Sequence, residues 1–203
     1  MHDPTKDTTA FYNRFAKPYL KEFEKAAPAE RSEFLGLLKR NSLILDAGCA
    51  GGRDSKFFMN NGHRVIGVDV SKQFIRYAKK DVPQARFFQM DIRKTNFPAK
   101  HFDGIWAQAV LLHLERKGVR NVLENFYRIL RPNGLLNIQV KHGKGSKFLE
   151  GKKYPGEKRY FTYFTKSELV ALVQQVGFQI LHSEVISDSR SRPIKWVNLL
   201  GKK

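Results

Sequence analysis

The sequence predicts a doubly wound α/β domain built on a mostly parallel sheet of seven strands. Apolar runs of strand length alternate with helical patterns between residues 43 and 140, and this alternation is typical of parallel sheets because each crossover takes a helix. The first run, residues 43–46, leads through a turn of small residues directly into a helix. Such junctions lie at the carboxyl edge of parallel sheets, where nucleotide-like ligands bind.

Length and composition indicate one globular domain. The 203 residues suffice for a sizeable core, and 41% of them are hydrophobic and 12% aromatic. The single cysteine, Cys49, excludes an internal disulfide and a cysteine-rich metal cluster, and it favours a reducing, cytoplasmic setting. No segment has the pattern of a signal peptide or a membrane span, so no membrane partner is expected.

The chain is strongly basic. It carries 37 Lys and Arg against 19 Asp and Glu, a formal net charge of +18. This imbalance favours a polyanionic partner such as RNA. A lysine-rich proteome or a need for solubility at high temperature would produce the same composition, so charge alone leaves the partner open.

The N-terminal forty residues predict two helices. Residues 1–10 are polar and expected to fray, whereas residues 11–26 predict a helix that Pro18 should kink. Aromatic side chains recur every four positions along one face of this helix, at Phe11, Phe15, Tyr19 and Phe23. This stripe either packs against the body of the domain or belongs to a lid over a ligand. A second helix, residues 29–39, leads into the first strand at Ser42.

Strands and helices then alternate to the end of the chain. The further predicted strands are residues 63–69, 85–90, 102–107, 135–140, 178–186 and 195–200. One helix follows the glycine turn, and others begin near Ser71, Glu115 and Thr165, the last with a capping box. Residues 131–134 are expected to form a turn. In residues 141–163, four glycines and a proline interrupt any regular element, which leaves an ordered flap and a mobile loop both open.

Acidic residues end three successive predicted strands, at Asp46, Asp69 and Asp91. Asp69 lies 17 residues beyond Gly52, close to where dinucleotide folds place the acid that binds ribose hydroxyls. Asp91 is similarly placed to accept a hydrogen bond from an adenine amino group, with Ile92 against the ring. One acid at a strand end is commonly structural, but three in this arrangement predict a nucleoside site. The turn lacks Gly-x-Gly-x-x-Gly, which argues against a dinucleotide.

The turn resembles motif I of the class I S-adenosylmethionine-dependent methyltransferases, in which an acid precedes three spaced glycines. The matching residues are Asp46, Gly48 and Gly52, with Ala50 in place of the middle glycine. Residues 102–107 resemble motif IV of that family, and residues 130–135 resemble the turn before its fifth strand. The likeness covers about residues 40–200 and is closest to the small, single-domain bacterial members.

The resemblance implies a Rossmann-like sheet that ends in a C-terminal antiparallel hairpin. It divides the single domain, residues 1–203, into an N-terminal helical lid (1–40), a cofactor-binding core (41–140), a basic loop (141–163) and a C-terminal helix with the strand hairpin (164–203). The implied cofactor is S-adenosyl-L-methionine. The residues assigned to it are Asp46, Gly48, Cys49, Ala50, Gly52, Arg53, Asp69, Val70, Asp91, Ile92 and Ala107.

The implied reaction is in-line displacement of a methyl group from a sulfonium, which depends more on positioning and a dry site than on strong acid–base chemistry. His113, just after the fourth strand, is the candidate base or acceptor-binding group because an imidazole titrates near neutrality. Its alternative role is that of a structural histidine at a helix start. Further acceptor-site candidates are Tyr12, Tyr19, Trp106, Gln108, His142, Arg159 and Tyr160. No metal is expected, because no run of ligands resembles that of the catechol-type O-methyltransferases.

The predicted acceptor is a small molecule, because the layout is that of metabolite-type members of the family. RNA is the alternative, since residues 141–160 carry seven Lys and Arg against two Glu, interleaved with tyrosines that could stack on bases. A second alternative is a binding module that kept the fold without the transfer, for which Ala50 is the only support.

Overall fold

The computed structural model describes residues 3–24, 28, 30–151, 153–188 and 192–203. The strands are β1 (Leu43–Ala47), β2 (Arg64–Asp69), β3 (Arg86–Gln89), β4 (Phe102–Gln108), β5 (Leu130–Lys141), β6 (Ser146–Gly151), β7 (Tyr154–Thr162), β8 (Gln179–Ser187) and β9 (Lys195–Lys202). The helices are α1 (Pro4–Arg14), α2 (Ala16–Phe23), α3 (Glu30–Gly36), α4 (Arg53–Asn60), α5 (Lys72–Asp81), α6 (Arg116–Ile129) and α7 (Lys166–Val176).

Seven strands form the main sheet, in the order β3-β2-β1-β4-β5-β9-β8. The pairs from β3 through β5 are parallel, and β9 runs antiparallel to both β5 and β8. The predicted Rossmann-like α/β fold with its C-terminal antiparallel hairpin is confirmed. The carboxyl ends of β1, β2, β4 and β5 therefore meet at one edge of the sheet, which is where such folds bind ligands.

The middle of the sheet forms the core. Strands β1, β4 and β5 are buried along most of their length, as expected for strands covered by helices on both faces. Helix α6 packs an apolar stripe against this core, made by the buried side chains of Val119, Val122, Leu123, Phe126 and Ile129. Full burial of such side chains stabilises the fold by ~1.5–3 kcal/mol each. The core thus holds the strand ends in fixed positions.

The predicted caps are present. The Ser71 hydroxyl accepts a hydrogen bond from the Phe74 N–H, which starts α5 as expected. Thr165 and Glu168 form the predicted capping box of α7, and Gly177 ends that helix with a φ of 114°. Local chemistry therefore suffices to set the ends of these two helices.

The N-terminal helices differ from the prediction in two ways. Residues 4–10 are not frayed but belong to α1, because the Asp3 side chain accepts a hydrogen bond from the Thr5 N–H and caps the helix. The break between α1 and α2 lies at Phe15, not at Pro18. Pro18 sits in the first turn of α2, where a missing N–H costs nothing. The predicted boundaries at residues 26 and 29 lie outside the described residues.

Strands β6 and β7, which lie within residues 141–163, form an ordered hairpin that the sequence pattern could not show. Strands β6 and β7 pair antiparallel, with an irregularity at Glu150–Gly151 that accommodates one of the glycines. The hairpin lies against α1, where the Tyr160 N–H donates to the Thr8 hydroxyl at 3.1 Å. The segment predicted as a basic loop is therefore a second, two-stranded sheet that contacts the N-terminal helix.

Residues 131–134, predicted as a turn, lie within the span of β5 but pair with no residue of β4. The register passes from Phe102–Leu130 to Gly104–Leu135, and Asn133 takes a left-handed φ of 64°. The backbone of Lys203 exchanges hydrogen bonds with Asn133 and Gly134 at 2.9 and 3.0 Å, which extends the pairing of β5 to the end of β9. Within the described part of the chain, no helix is long and apolar enough to cross a membrane.

Candidate active site

The glycine turn between β1 and α4 takes left-handed backbone angles at three alternate positions. Gly48, Ala50 and Gly52 have φ values of 77°, 45° and 83°. A Cβ at Gly48 would lie 2.6 Å from the Val110 side chain, so only glycine fits there. Ala50 adopts the same backbone region at a cost of about 1–2 kcal/mol. The departure from the glycine motif thus causes strain at Ala50 without changing the shape of the turn.

Asp69 at the end of β2 is held rigidly next to this turn. Its Oδ2 accepts a hydrogen bond from the Ala50 N–H at 3.1 Å, and its Oδ1 accepts one from the Ser71 N–H at 2.8 Å. Burial raises the pKa of Asp69 to about 6. Each oxygen still has a lone pair for a ligand hydroxyl. The predicted ribose-binding acid therefore lies oriented on the wall of the cavity.

Asp46 lies beneath the turn and does not line the cavity. It is 2% exposed, and the Ser55 hydroxyl donates to its Oδ2 at 2.6 Å. Burial, together with the nearby negative charge of Asp54, raises the pKa of Asp46 to about 7. The resemblance implied direct contact with the cofactor, but this carboxyl group supports the turn from below.

Asp54, which sequence analysis missed, organises the charges on the first helix after the turn. Its carboxylate accepts two hydrogen bonds from Arg53, at 2.9 and 3.0 Å, and one from Trp106 Nε1 at 3.1 Å. It also forms an ion pair with Arg31 at 3.5 Å. Trp106 is fully buried against Phe34 and does not reach the cavity, so its prediction as an acceptor-site residue is wrong. A tryptophan inside a buried central strand is the sequence signal that pointed to a core role.

Helix α2 covers the glycine turn. A Cβ at Gly51 would lie 2.7 Å from the Leu20 side chain, so the helix packs directly onto the turn backbone. Arg53 donates to the Phe23 carbonyl oxygen at 3.2 Å, which ties the end of α2 to the start of α4. The predicted packing of this aromatic helix against the body of the domain is thus present.

Asp91 and Ile92 follow β3, as predicted, and both line the cavity. The Asp91 carboxylate, however, is engaged by Arg93, whose guanidinium lies 2.6 Å away and also pairs with Asp3 of α1. Ile92 is 4% exposed. After β3, Ile92 thus gives the cavity an apolar surface. Asp91 and Arg93 form an ion pair, and Arg93 also links this segment to Asp3 at the start of α1.

His113 lies at the opposite wall and joins the N-terminal helix to the hairpin. Its Nδ1 is 2.8 Å from the Tyr160 carbonyl oxygen, which can only accept, so Nδ1 carries the proton. Nε2 then accepts a hydrogen bond from the Tyr12 hydroxyl, also at 2.8 Å. Burial lowers the pKa of His113 to about 3, and the positive charges of Arg159 and Lys141 act in the same direction. The imidazole is therefore neutral at pH 7.

Two cations share this wall, and sequence analysis proposed only one of them for the site. Arg159 of β7 lies 4.5 Å from the Phe11 ring centroid, and Lys141 at the end of β5 lies 3.5 Å from that of Phe161. Burial and then the charge of Arg159 lower the pKa of Lys141 to about 8. A lysine directly after the buried run of β5 is the signal that could have identified it.

Three further predicted residues lie away from the cavity. Ala107 is fully buried in the core, and His142 pairs with Phe164 outside the site. Tyr160 contributes its carbonyl oxygen to His113, but its side chain packs on Phe148. Side chains alternate along a strand, so Arg159 and Phe161 face the cavity while Tyr160 faces away. Sequence analysis could not assign this alternation because it expected no strand here.

One cavity of about 960 Å³ connects these walls, within the size range of small-molecule sites. The predicted residues that line it are Tyr12, Tyr19, Gly48, Cys49, Ala50, Gly52, Arg53, Asp69, Val70, Asp91, Ile92, Gln108, His113 and Arg159. Lining residues that were not predicted include Gln139, Lys141, Phe161, Asp188, Arg192 and Trp196. At the ends of β1 and β2 the cavity is lined by the glycine turn and Asp69. Near β5 and β7 it is lined by Lys141, Arg159 and Phe161, and we call this part its cationic end.

Residues 44–134 match the family model described as a methyltransferase domain. Over 98 residues the chain is 29% identical to a malonyl-[acyl-carrier protein] O-methyltransferase of Enterobacter lignolyticus. The alignment covers 48% of this chain and 38% of that protein. The chain is 34% identical over 99 residues to a trans-aconitate 2-methyltransferase of Azoarcus sp., with the same two shares of coverage. The chain thus spans less than half the length of these curated relatives.

Solved structures with the same fold include a 1,6-didemethyltoxoflavin-N1-methyltransferase of Burkholderia thailandensis, determined with bound 1,6-didemethyltoxoflavin and S-adenosylhomocysteine. It superposes with a TM-score of 0.81 at 21% identity and covers 100% of this chain and 91% of that one. A SAM-dependent methyltransferase of Methanosarcina mazei gives a TM-score of 0.77 at 20% identity, with 84% and 96% coverage. At these identities the likeness shows the fold.

Proposed function

We propose, from the match of residues 44–134 to a methyltransferase-domain model, that the chain is a class I, Rossmann-like domain that transfers a methyl group from S-adenosyl-L-methionine to a small-molecule acceptor. The observation that carries the proposal is the pairing of the left-handed turn at Gly48–Ala50–Gly52 with the oriented carboxylate of Asp69 on one cavity wall. A turn without bulky side chains lets a ligand approach the backbone, and the acid selects a ribose.

The residues at this end of the cavity fit the cofactor. Asp69 would accept hydrogen bonds from the ribose hydroxyls, and the apolar side chains of Val70 and Ile92 would contact the adenine ring. The backbone of the glycine turn would face the methionine portion. When bound, S-adenosyl-L-methionine supplies a methyl group on a positively charged sulfur, and the electron pair of the broken C–S bond stays with the sulfur.

The other end of the cavity would bind the acceptor and orient its attacking group. Tyr12 is the candidate for this role: its O–H donates to Nε2 of the neutral His113, so the lone pairs of its oxygen would accept a hydrogen bond from the attacking O–H, N–H or S–H group. The hydrogen bond from Nδ1 to the Tyr160 carbonyl holds the imidazole in the tautomer that can accept. Gln108 and Tyr19 border the same space.

Helices α1 and α2, which we propose act as the lid, would keep water from the reacting atoms. Leu20 packs onto the glycine turn, and Tyr12 reaches across the cavity to His113. A covered cavity suits a small acceptor better than an RNA strand, which needs an open, positively charged groove. The single buried thiol of Cys49 is compatible with the cytoplasmic setting that we also propose.

Transfer of labelled methyl groups tests the proposal. The purified chain is incubated with methyl-labelled S-adenosyl-L-methionine and either a small-molecule cell extract or total RNA at 50 mM salt, with Asp69→Ala as the inactive control. Label in the small-molecule fraction is the expected result. Label in RNA alone would instead support the alternative acceptor. Calorimetric binding of S-adenosylhomocysteine without any transfer would support the binding module, and absence of both would overturn the proposal.

A further inference from the structure

We propose that the acceptor carries an anionic group, a carboxylate or a phosphate, and that this group binds between Lys141 and Arg159 beside the ring of Phe161. This inference rests on the proposed function and adds the substrate class. It starts from the cationic end of the cavity, where neither Lys141 nor Arg159 has an ion-pair partner among the described residues.

Arg159 is the clearest case. Its Nε atom is buried and has no hydrogen-bond partner, and its guanidinium contacts the rings of Phe11, Tyr12 and Phe161 at 4.5, 5.9 and 5.4 Å. In the part of the chain that the structure describes, no carboxylate lies within ion-pair distance of it. A buried donor without a partner is costly, which argues for a ligand that would satisfy it.

The other arginines that line the cavity pair with acidic side chains, unlike Arg159. Arg53 pairs with Asp54 at 2.9 Å, and Arg192 pairs with Asp188 at 2.6 Å. Asp188 also accepts a hydrogen bond from Trp196 Nε1 at 2.9 Å, so its carboxylate is already engaged. The acid nearest the cationic end is therefore committed to other partners, and Arg159 differs from its neighbours in this respect.

Lys141 brings a second charge to the same place. Its Nζ lies 3.5 Å from the Phe161 ring centroid, and Arg159 contacts that ring from 5.4 Å, so the two cations flank one aromatic side chain. Like charges held this close in a partly buried site repel each other. An anion between them would turn this repulsion into attraction, and the guanidinium fork would bind its oxygens in pairs.

The position of the two cations assigns the anion to the acceptor rather than to the cofactor. Arg159 lies 5.9 Å from the Tyr12 ring centroid, which places the cationic end beside the hydroxyl proposed to hold the acceptor. The glycine turn and Asp69 line the part of the cavity proposed for the cofactor. An acceptor anchored by its anionic group at Lys141 and Arg159 would hold its nucleophilic atom near the Tyr12 hydroxyl.

Isothermal titration calorimetry of the full chain saturated with S-adenosylhomocysteine tests this site, with benzoate, inorganic phosphate and the neutral benzamide as probes. We expect benzoate or phosphate to bind at least tenfold more tightly than benzamide, and the tighter of the two identifies the anionic group. Arg159→Gln and Lys141→Gln should each weaken anion binding at least tenfold. Lys158→Gln is the matched control: Lys158 is exposed on the same strand, and its loss should change affinity less than twofold.

Other outcomes overturn the proposal. Equal affinity for benzoate, phosphate and benzamide, or an equal loss of anion affinity in Lys158→Gln, would show that no localised anion site exists. If Arg159→Gln weakens S-adenosylhomocysteine instead, the cations belong to the cofactor. Arg159→Lys, which keeps the charge and should retain part of the anion affinity, covers the case in which the glutamine variant misfolds. Wild-type chain that binds S-adenosylhomocysteine but no anion contradicts only this inference, whereas failure to bind S-adenosylhomocysteine contradicts the proposed function itself.

Discussion

The Tyr12 hydroxyl lies 2.8 Å from Nε2 of His113, a residue 101 positions further along the chain. This hydrogen bond joins the N-terminal helix α1 to the segment after β4. Because Nδ1 of the same imidazole is held by the Tyr160 carbonyl, one histidine connects three parts of the fold: the sheet edge, α1 and the β6–β7 hairpin. The contact is a structural link and also orients the hydroxyl that we propose holds the acceptor.

Removing the Tyr12 hydroxyl should slow methyl transfer without loss of cofactor. The Tyr12→Phe variant keeps the ring packing on Phe74 but leaves Nε2 of His113 without a donor. We expect kcat to fall by about 10²-fold, the loss expected when an attacking group is misplaced, with the affinity for S-adenosylhomocysteine changed less than threefold. Tyr127→Phe, remote from the cavity, is the control and should retain full activity. An unchanged kcat in Tyr12→Phe would assign the pair a purely structural role.

Replacing Asp69 should weaken the cofactor. Asp69→Ala removes the acceptor proposed for two ribose hydroxyls and also releases the Ala50 N–H, so binding of S-adenosylmethionine should weaken by ~1.5–3 kcal/mol, measured by calorimetry. The exposed change Glu124→Gln, which also removes one negative charge, should leave the affinity as it is. Equal affinity for S-adenosylmethionine in Asp69→Ala and wild type would contradict the role of Asp69 as the ribose-binding acid.

Gly48 should tolerate no side chain. Gly48→Ala adds a Cβ 2.6 Å from Val110 at a φ of 77° and should destabilise the fold by about 2 kcal/mol or more in urea unfolding. Gly62→Ala is matched for backbone strain, because Gly62 has a φ of 80° but no neighbour within 4 Å of the added atom. It should lose only about 1 kcal/mol. Equal losses would mean that strain alone, and not the contact with Val110, requires glycine at position 48.

Burial of Asp46 should make stability depend on pH in a defined window. Its pKa is about 7 in the folded chain and ~3.9 when unfolded, so between these values the folded state binds a proton that the unfolded state has lost. The free energy of unfolding should therefore decrease as pH rises from about 4 to about 7 by a contribution that Asp46→Asn abolishes. Urea unfolding of both proteins at pH 5 and pH 8 measures this difference. The same pH dependence in wild type and variant would contradict it.

Much of this molecule follows from local sequence patterns. The run of residues 43–46, the small-residue turn and the acid at Asp69 predict the first β-α-β unit because strand period, glycine conformations and helix caps act over a few residues. The same locality predicts the Ser71 and Thr165 caps and the presence of seven strands in the main sheet. From these motifs the sequence alone predicted the Rossmann-like fold, which the structure confirms, and indicated a resemblance to the class I methyltransferases.

Contacts between distant segments were settled only by the tertiary structure. Asp46 lies under the turn and not beside the cavity, Trp106 faces the core, and residues 146–162 pair as a hairpin against α1. Lys141, Arg159 and His113 come together because that hairpin packs at this site. Its glycines interrupt the alternation of polar and apolar side chains by which a strand is recognised in a sequence. No periodicity in a chain encodes which side chains meet across 100 residues, because that depends on how whole elements pack. Local patterns therefore predicted most of the residues at the end of the cavity proposed for the cofactor, whereas at the end proposed for the acceptor they missed Lys141 and wrongly included Trp106, His142 and Tyr160.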